Sequence, residues 1–392
     1  MKHILLLAFL LLPFLGSCKS TAPDYGRALP DGAPALLPLG PDDKRPDFGP
    51  QWADRQSILP ALDNSIAWSK KKSSAQFFPI EGITLERLQT SLERFKAALV
   101  ESKSSSEFDR RLENEFVVYK SAGWDGKGGG VLFTGYCTPI LDGRKQPDAV
   151  YKYPLYALPP DLVKEASGEI KGRKTASGEI EPYPTRRTIE AAGLLKNKKL
   201  ELAWLKDPLD AFIAHVNGSA FIRLENGQLY KLGYSGKNGQ PYTSLGQELV
   251  KDQKLDKDKV SLRAIREWAK AHPAEIQEYL NRNDSYVFFT PIEGDPHGSL
   301  NVPVTGGRSL ATDKRLFPRG SIVYAQGKPD GMRYGAQLDH FMLDQDTGGA
   351  IRTAGRADAY LGSGDEAEAL SGATRVEGQL YYLFVKDEMP KP

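Results

Sequence analysis

The chain has 392 residues, with 52 Lys and Arg against 50 Asp and Glu. That length allows one large core or two smaller ones, and the balanced charge excludes a partner recognised mainly by charge, such as nucleic acid or an acidic polymer. Cys18 and Cys137 are the only cysteines and His3, His215, His272, His297 and His340 form no spaced metal-ligating pair, so the expectation is no metal, no cofactor and no disulfide framework.

The chain opens on MKHILLLAFLLLPFLGSCKS, in which Lys2 precedes an apolar run of twelve residues, Ile4 to Leu15. A bilayer-spanning helix takes about 20 residues, so this run reads as a signal peptide over 1–17. Leu15-Gly16-Ser17-Cys18 resembles a bacterial lipobox, which makes Cys18 the expected lipidation site and membrane anchor; an ordinary signal peptide with a stray cysteine is the plainer alternative. Lys19 after that cysteine, rather than aspartate, resembles Gram-negative lipoproteins of the outer membrane facing the periplasm. Residues 18–74 are rich in proline and read as a tether.

Helix signals follow. Leu85, Leu88, Leu92, Phe95 and Leu99 recur at three- and four-residue steps behind a Thr84 cap, and Phe108, Leu112, Phe116 and Tyr119 continue a second amphipathic segment. GWDGKGGG breaks that pattern, and VLFTGYCTPIL reads as a strand. Between Tyr153 and about Leu255 the chain changes to short apolar runs and turn residues, with ASGEI twice, at Ala166–Ile170 and Ala176–Ile180. Asn226-Gly227 and Asn238-Gly239 predict two hairpin turns, and the lysine-rich KDQKLDKDK predicts a solvated connector. Helices resume with Leu262, Ile265 and Trp268, then with Ile276, Tyr279 and Leu280 beyond Pro273. SYVFFT, RGSIVYAQG and QLYYLFVKD close the chain as strands, with DEAEAL as a short helix between the last two. The simplest organisation is a body made from both ends of the chain with a β-rich unit inserted.

Two acids stand out in DQDTGGAIRTAGRADAYLGSG, at Asp346 and Asp358. Gly348 and Gly349 can bring backbone close to a ligand, and Ala357-Asp358-Ala359-Tyr360 alternates as a strand does. Two strand-borne acids facing one cavity repel, so one of them ionises with difficulty, as a proton donor to a leaving oxygen must. The bland alternative makes them loop caps or ion-pair partners of Arg352 and Arg356.

FTGYCTPIL, YPLYALPPDLV, PTRRTIEAAGLL, WLKDPLDAFIAHVNGSAFIRL, NDSYVFF, GSLNVPVTGGRSLATDKRLFPRGSIVYA and the acid-bearing stretch occur in this order. Together they resemble the MltA family of membrane-bound lytic murein transglycosylases, whose C-terminal part is called the 3D domain, over roughly residues 75 to 388. The resemblance implies a mainly β fold with flanking helices: a double-psi β-barrel domain from 75–145 and 256–392, a smaller β-rich domain inserted at 146–255, and a glycan groove between them. It implies cleavage of the β-1,4 bond between N-acetylmuramic acid and N-acetylglucosamine with formation of a 1,6-anhydromuramyl end. Asp358 matches the acid/base of that chemistry and Asp346 a neighbour that orients it, although the sequence does not by itself order the two. Thr134, Gly135 and Tyr136 match the family's TGY motif and are expected, with Gly348 and Gly349, to line the groove. Cys137 replaces a second tyrosine usual in the family and reads as a small buried thiol. The implied partners are peptidoglycan glycan strands, the membrane through Cys18, and cell-wall enzyme complexes. A non-catalytic glycan-binding lipoprotein and a water-adding muramidase stand as alternatives.

Overall fold

The computed structural model describes residues 22–40, 43–165, 170–327 and 336–387; the signal segment, Cys18 and most of the first ASGEI copy lie outside them. The amino-terminal part comprises β1 (Leu36–Pro38), α1 (Arg55–Ser69), α2 (Leu85–Glu101), α3 (Ser105–Glu115), β2 (Phe116–Ser121) and β3 (Val131–Thr138). Thr84 caps α2, its hydroxyl accepting from the Arg87 amide, and Leu88, Leu92, Phe95 and Leu99 of the stripe are buried. Ser104 caps α3 by accepting from the Glu107 amide at 3.2 Å, while the Glu107 carboxylate accepts from the Lys103 amide at 2.9 Å. That near-reciprocal arrangement fixes where α3 starts.

Two expectations fail in this part. Phe116 and Tyr119 do not continue α3 but belong to β2, where the β-branched pair Val117-Val118 favours an extended backbone. Nor is 18–74 a tether along its length. β1 pairs with β2, Phe48 is fully buried, and α1 buries Ile58, Leu62, Ile66 and Trp68 in the main core. Ile58, Leu62 and Ile66 recur every four residues, so the apolar face was there among the prolines. Each such side chain contributes about 1.5–3 kcal/mol on burial, enough to order the segment.

The second unit follows: β4 (Ile140–Arg144), β5 (Tyr153–Tyr156), β6 (Leu162–Lys164), β7 (Ile170–Lys174), β8 (Ile180–Glu181), α4 (Arg186–Ala191), β9 (Glu201–Leu205), α5 (Pro208–Asn217), β10 (Ala220–Arg223), β11 (Leu229–Lys237), α6 (Leu245–Lys251), α7 (Leu262–Ala271), α8 (Ile276–Leu280) and β12 (Val287–Pro291). Six of these strands form one sheet in the order β12-β11-β10-β4-β9-β5, and β6-β7-β8 form a second. Gly227, with φ +79°, makes the expected β10–β11 hairpin turn. Asn238-Gly239 makes none: the Asn238 side chain is buried, donating to the Pro184 and Asp284 carbonyls and accepting from the Tyr286 amide. Strand pairing carries this unit from β4 to β12, beyond the expected 146–255 at both ends. α7 and α8 pack with α5 and α6 in one cluster through Trp268, Ile276 and Tyr279, because their apolar faces match that helix layer.

The carboxy-terminal part supplies β13 (Ser309–Ala311), β14 (Ile322–Gly327), β15 (Leu338–Asp346), β16 (Arg356–Ser363), α9 (Asp365–Ala373) and β17 (Arg375–Val385). β17 pairs with β14, β14 with β15, β15 with β13, β13 with β16, and β16 with β3, while β3 pairs back onto β17. These six strands therefore form a closed circuit from both ends of the chain, with β2 and β1 extending it from β17. Closure leaves no unpaired edge within the ring.

Candidate active site

Thr134, Gly135 and Tyr136 are half-open in a strand whose other residues are buried. Side chains alternate along a strand, so Thr134 and Tyr136 share one face and position 135 takes the other. β16 runs parallel beside β3, with Asp358 opposite Thr134 and Tyr360 opposite Tyr136. Ala311 of β13 is the register partner of both Asp358 on β16 and Asp346 on β15. The two acids are thus two strands apart, about 9–10 Å between backbones, with a small buried side chain between them.

Their settings differ. Asp346 takes three hydrogen bonds: Tyr136 donates its hydroxyl at 2.6 Å to one oxygen, and the Ser299 and Thr347 amides donate at 2.8 Å to the other. Asp358 takes one, from the Thr134 hydroxyl at 2.9 Å, and that hydroxyl accepts from Arg356 at 3.3 Å. Burial pushes both carboxyls above the usual carboxylate range. At Asp346 the three donors and the charge of Lys314 work against that rise. At Asp358 burial dominates, opposed by Thr134 and Arg356 and reinforced by the negative charge of Asp346, and the group reaches about 7. Donors to the charged form favour ionisation, so the less-held acid is the better proton carrier. Neither acid has a direct ion pair with Arg352 or Arg356: Arg352 lies 3.8 Å from Asp313.

The surroundings of the three glycines differ. A side chain at 135 would meet Leu361 at 2.6 Å and the Ser371 backbone at 3.0 Å, so Gly135 lets α9 pack onto β3. Gly348 and Gly349 are not among the positive-φ residues; a side chain at 349 would lie 3.3 Å from Tyr242, between α6 and β11 of the second unit. Tyr136 holds Asp346 and packs its ring on Tyr360 with centroids 5.2 Å apart. Cys137 is buried, its thiol pushed up to about 12 by burial first and the Glu368 charge second, which suits packing rather than nucleophilic attack.

Sequence reasoning did not find the second unit's contribution. Tyr234 is 48% exposed beside a β-bulge in β11, and bulges re-aim side chains. Partial burial first, and the charge of Asp346 second, push its phenol up to about 12. The loop before β13 is tied to the neighbouring strands: the Gly307 amide donates to the Tyr360 carbonyl at 2.7 Å and Arg308 to the Phe341 carbonyl at 2.8 Å.

The chain is similar to known proteins in both sequence and fold. Family models of the MltA specific insert domain and the 3D domain match residues 132–290 and 308–384. The membrane-bound lytic murein transglycosylase A of Vibrio cholerae serotype O1 is 34% identical over 267 residues, 67% of either chain. The solved membrane-bound lytic murein transglycosylase from Agrobacterium tumefaciens has a TM-score of 0.73 at 27% identity, covering 90% of this chain and 98% of that one. E. coli MltA with bound chitohexaose has a TM-score of 0.68 at 26% identity, covering 93% and 99%. With its ring of strands, its second unit and its carboxy-terminal acids, this chain belongs to the MltA family and carries the family's insert and a C-terminal 3D domain.

Proposed function

We propose that this chain is a lytic murein transglycosylase in which Asp358 acts first as acid and then as base. The observation that carries the reading is the setting of Asp358, half-buried near a second acid and held by one hydroxyl, which keeps its proton near neutral pH. Asp358 gives that proton to the glycosidic oxygen between N-acetylmuramic acid and N-acetylglucosamine as the C1–O bond breaks. It then takes the proton of the muramyl C6 hydroxyl, whose oxygen bonds to C1 and closes the 1,6-anhydro ring. No water enters, so the site has to exclude it. Hydrolytic glycosidases need a second carboxylate to attack or to activate water. Asp346, with both oxygens already engaged, serves instead as a fixed negative charge that holds the proton on Asp358 and favours the oxocarbenium-like centre.

The names of the relatives support the activity, and the E. coli relative with bound chitohexaose supports glycan as the ligand. In this reading the glycan lies between the ring and the second unit, where Tyr234 and Tyr242 approach the acids. The closed six-strand circuit, with parallel β3–β16 and β13–β15 pairs, supports a double-psi barrel. Among the described residues no helix is long and apolar enough to cross a membrane, and lipidated Cys18 would anchor the chain, with Lys19 favouring the outer membrane.

The test is digestion of purified sacculi by the full chain, with the products weighed. Muramyl ends one water lighter than hydrolysis products are expected. Ends of hydrolytic mass would make the chain a muramidase, and no products would make it a binder.

A further inference from the structure

We propose that Lys314 and Asp344 are a positioning pair for the reaction centre, fixing the β13–β15 seam from which Asp346 faces Tyr136. Asp344 and Asp346 are two residues apart on β15, but the register shifts between them, so they pair with the consecutive β13 residues Leu310 and Ala311 and turn to opposite faces, Asp344 into the core and Asp346 towards the site. Asp344 is fully buried, and Lys314, 8% exposed, donates to its carboxylate. Thr312 donates to both Asp344 oxygens at 3.0 and 2.8 Å, Tyr382 donates at 2.9 Å, and Lys314 also donates to the Thr312 hydroxyl oxygen at 3.0 Å.

From there the bonds run outward to the site. The Thr312 amide donates to the Asp346 carbonyl at 3.2 Å, the Thr347 hydroxyl donates to the Thr312 carbonyl at 2.8 Å, and the Thr347 amide donates to the Asp346 carboxylate at 2.8 Å. Apolar replacements of buried ion pairs are often neutral or stabilising, so stability alone does not account for a fully satisfied pair in this place. Its position two residues beneath Asp346 does.

The pair also sets the local field. Asp346 faces Lys314 beneath it, Tyr136 from β3, Asp358 and Tyr360 from β16, and Tyr234 from β11, while Arg319 and Tyr382 face Asp344. Lys314 is a cation whose charge lowers the Asp346 carboxyl. Without it Asp346 takes up a proton at higher pH, and Asp358 loses the neighbouring charge that holds its own proton.

The effect on turnover rests on the function proposed above; the effect on carboxyl titration does not. The experiment compares the full chain with the double variant Lys314→Met/Asp344→Leu and with Lys314→Arg, following murein cleavage against pH and the Asp346 and Asp358 carboxyls by 13C NMR. In the double variant Asp346 is expected to titrate higher and Asp358 lower. Turnover is expected to fall about tenfold with KM unchanged, and Lys314→Arg, which keeps the cation, to retain the parent's turnover. Titrations and a pH profile matching the parent overturn the proposal, whatever the unfolding temperature does. A double variant that does not fold is replaced by Thr347→Val, which cuts the same chain of bonds at its solvent end; an unmoved Asp346 titration there overturns it equally. A parent that cleaves no murein, with Asp346 still shifted in the variant, sinks the catalytic reading and leaves the pair standing.

Discussion

Asp346 and Asp358 flank the same alanine, yet β15 and β16 present them differently. On β15 the carboxylate is gripped by a tyrosine hydroxyl and two backbone amides, with a lysine beneath. On β16 the carboxylate meets one threonine hydroxyl and an arginine that acts through it. The same environment therefore leaves one carboxyl held by three donors and the other by a single hydroxyl. In the proposed mechanism residue type does not distinguish the two acids; the number of donors does.

The largest effect should come from removing the exchangeable proton. Asp358→Asn is expected to lower turnover by about 10²–10⁴-fold in a murein-cleavage assay while glycan binding persists. The parent should lose activity as pH rises through about 7, because the acid form of Asp358 is what cleaves. Stability moves in the same window. A carboxyl whose folded pKa is raised stabilises the fold fully below its ordinary value of 3.8, and that contribution is lost as pH rises through about 7. The Asn variant cannot ionise, so its unfolding temperature should exceed the parent's above pH 7 and match it below that ordinary value. A variant no more stable than the parent at high pH would show that Asp358 is not strained by its charge.

Two milder substitutions should move the pH profile in opposite directions. Tyr136→Phe takes a donor from Asp346, which then ionises less readily and releases its hold on the Asp358 proton. Turnover is expected to drop about tenfold and the falling limb to move to lower pH. Thr134→Val takes the donor from Asp358 itself, so its carboxyl rises. A hydrogen bond to a charged group contributes about 1.5–3 kcal/mol, which moves that limb up by about one to two pH units, with turnover at neutral pH reduced about threefold. If both limbs shift the same way, the two acids do not have the separate roles assigned to them.

Much of this was legible in the sequence, for reasons that are local. Thr84 and the leucine spacing of α2 specify a helix by themselves, and the two acids announce themselves in a glycine-rich stretch. What failed was overridden from a distance. Asn238-Gly239 is a hairpin signal until Tyr286, Pro184 and Asp284 claim the asparagine side chain. The face of α1 was hidden because prolines on either side look like a tether. Lys314 could have been noticed only by knowing that β13 lies beside β15, since 30 residues separate it from Asp344. The order of the acids was out of reach for the same reason: the Ser299 amide reaches Asp346 across 47 residues.

The smallest expected effect on turnover sharpens the comparison from the opposite face of β3. Thr134 and Tyr136 point at the acids, whereas position 135 points at α9. A Cβ there would stand 2.6 Å from the end of the Leu361 side chain, which can turn, and 3.0 Å from the Ser371 backbone, which cannot move without its helix. Gly135→Ala should therefore act as overpacking, costing about 1–3 kcal/mol in denaturant unfolding, while KM for murein stays within about twofold of the parent. A glycine kept because glycan lies on its backbone would give the reverse result, a raised KM with unchanged stability. The two faces of one strand thus predict different observables: Thr134 and Tyr136 move the pH limb, and Gly135 moves the unfolding midpoint.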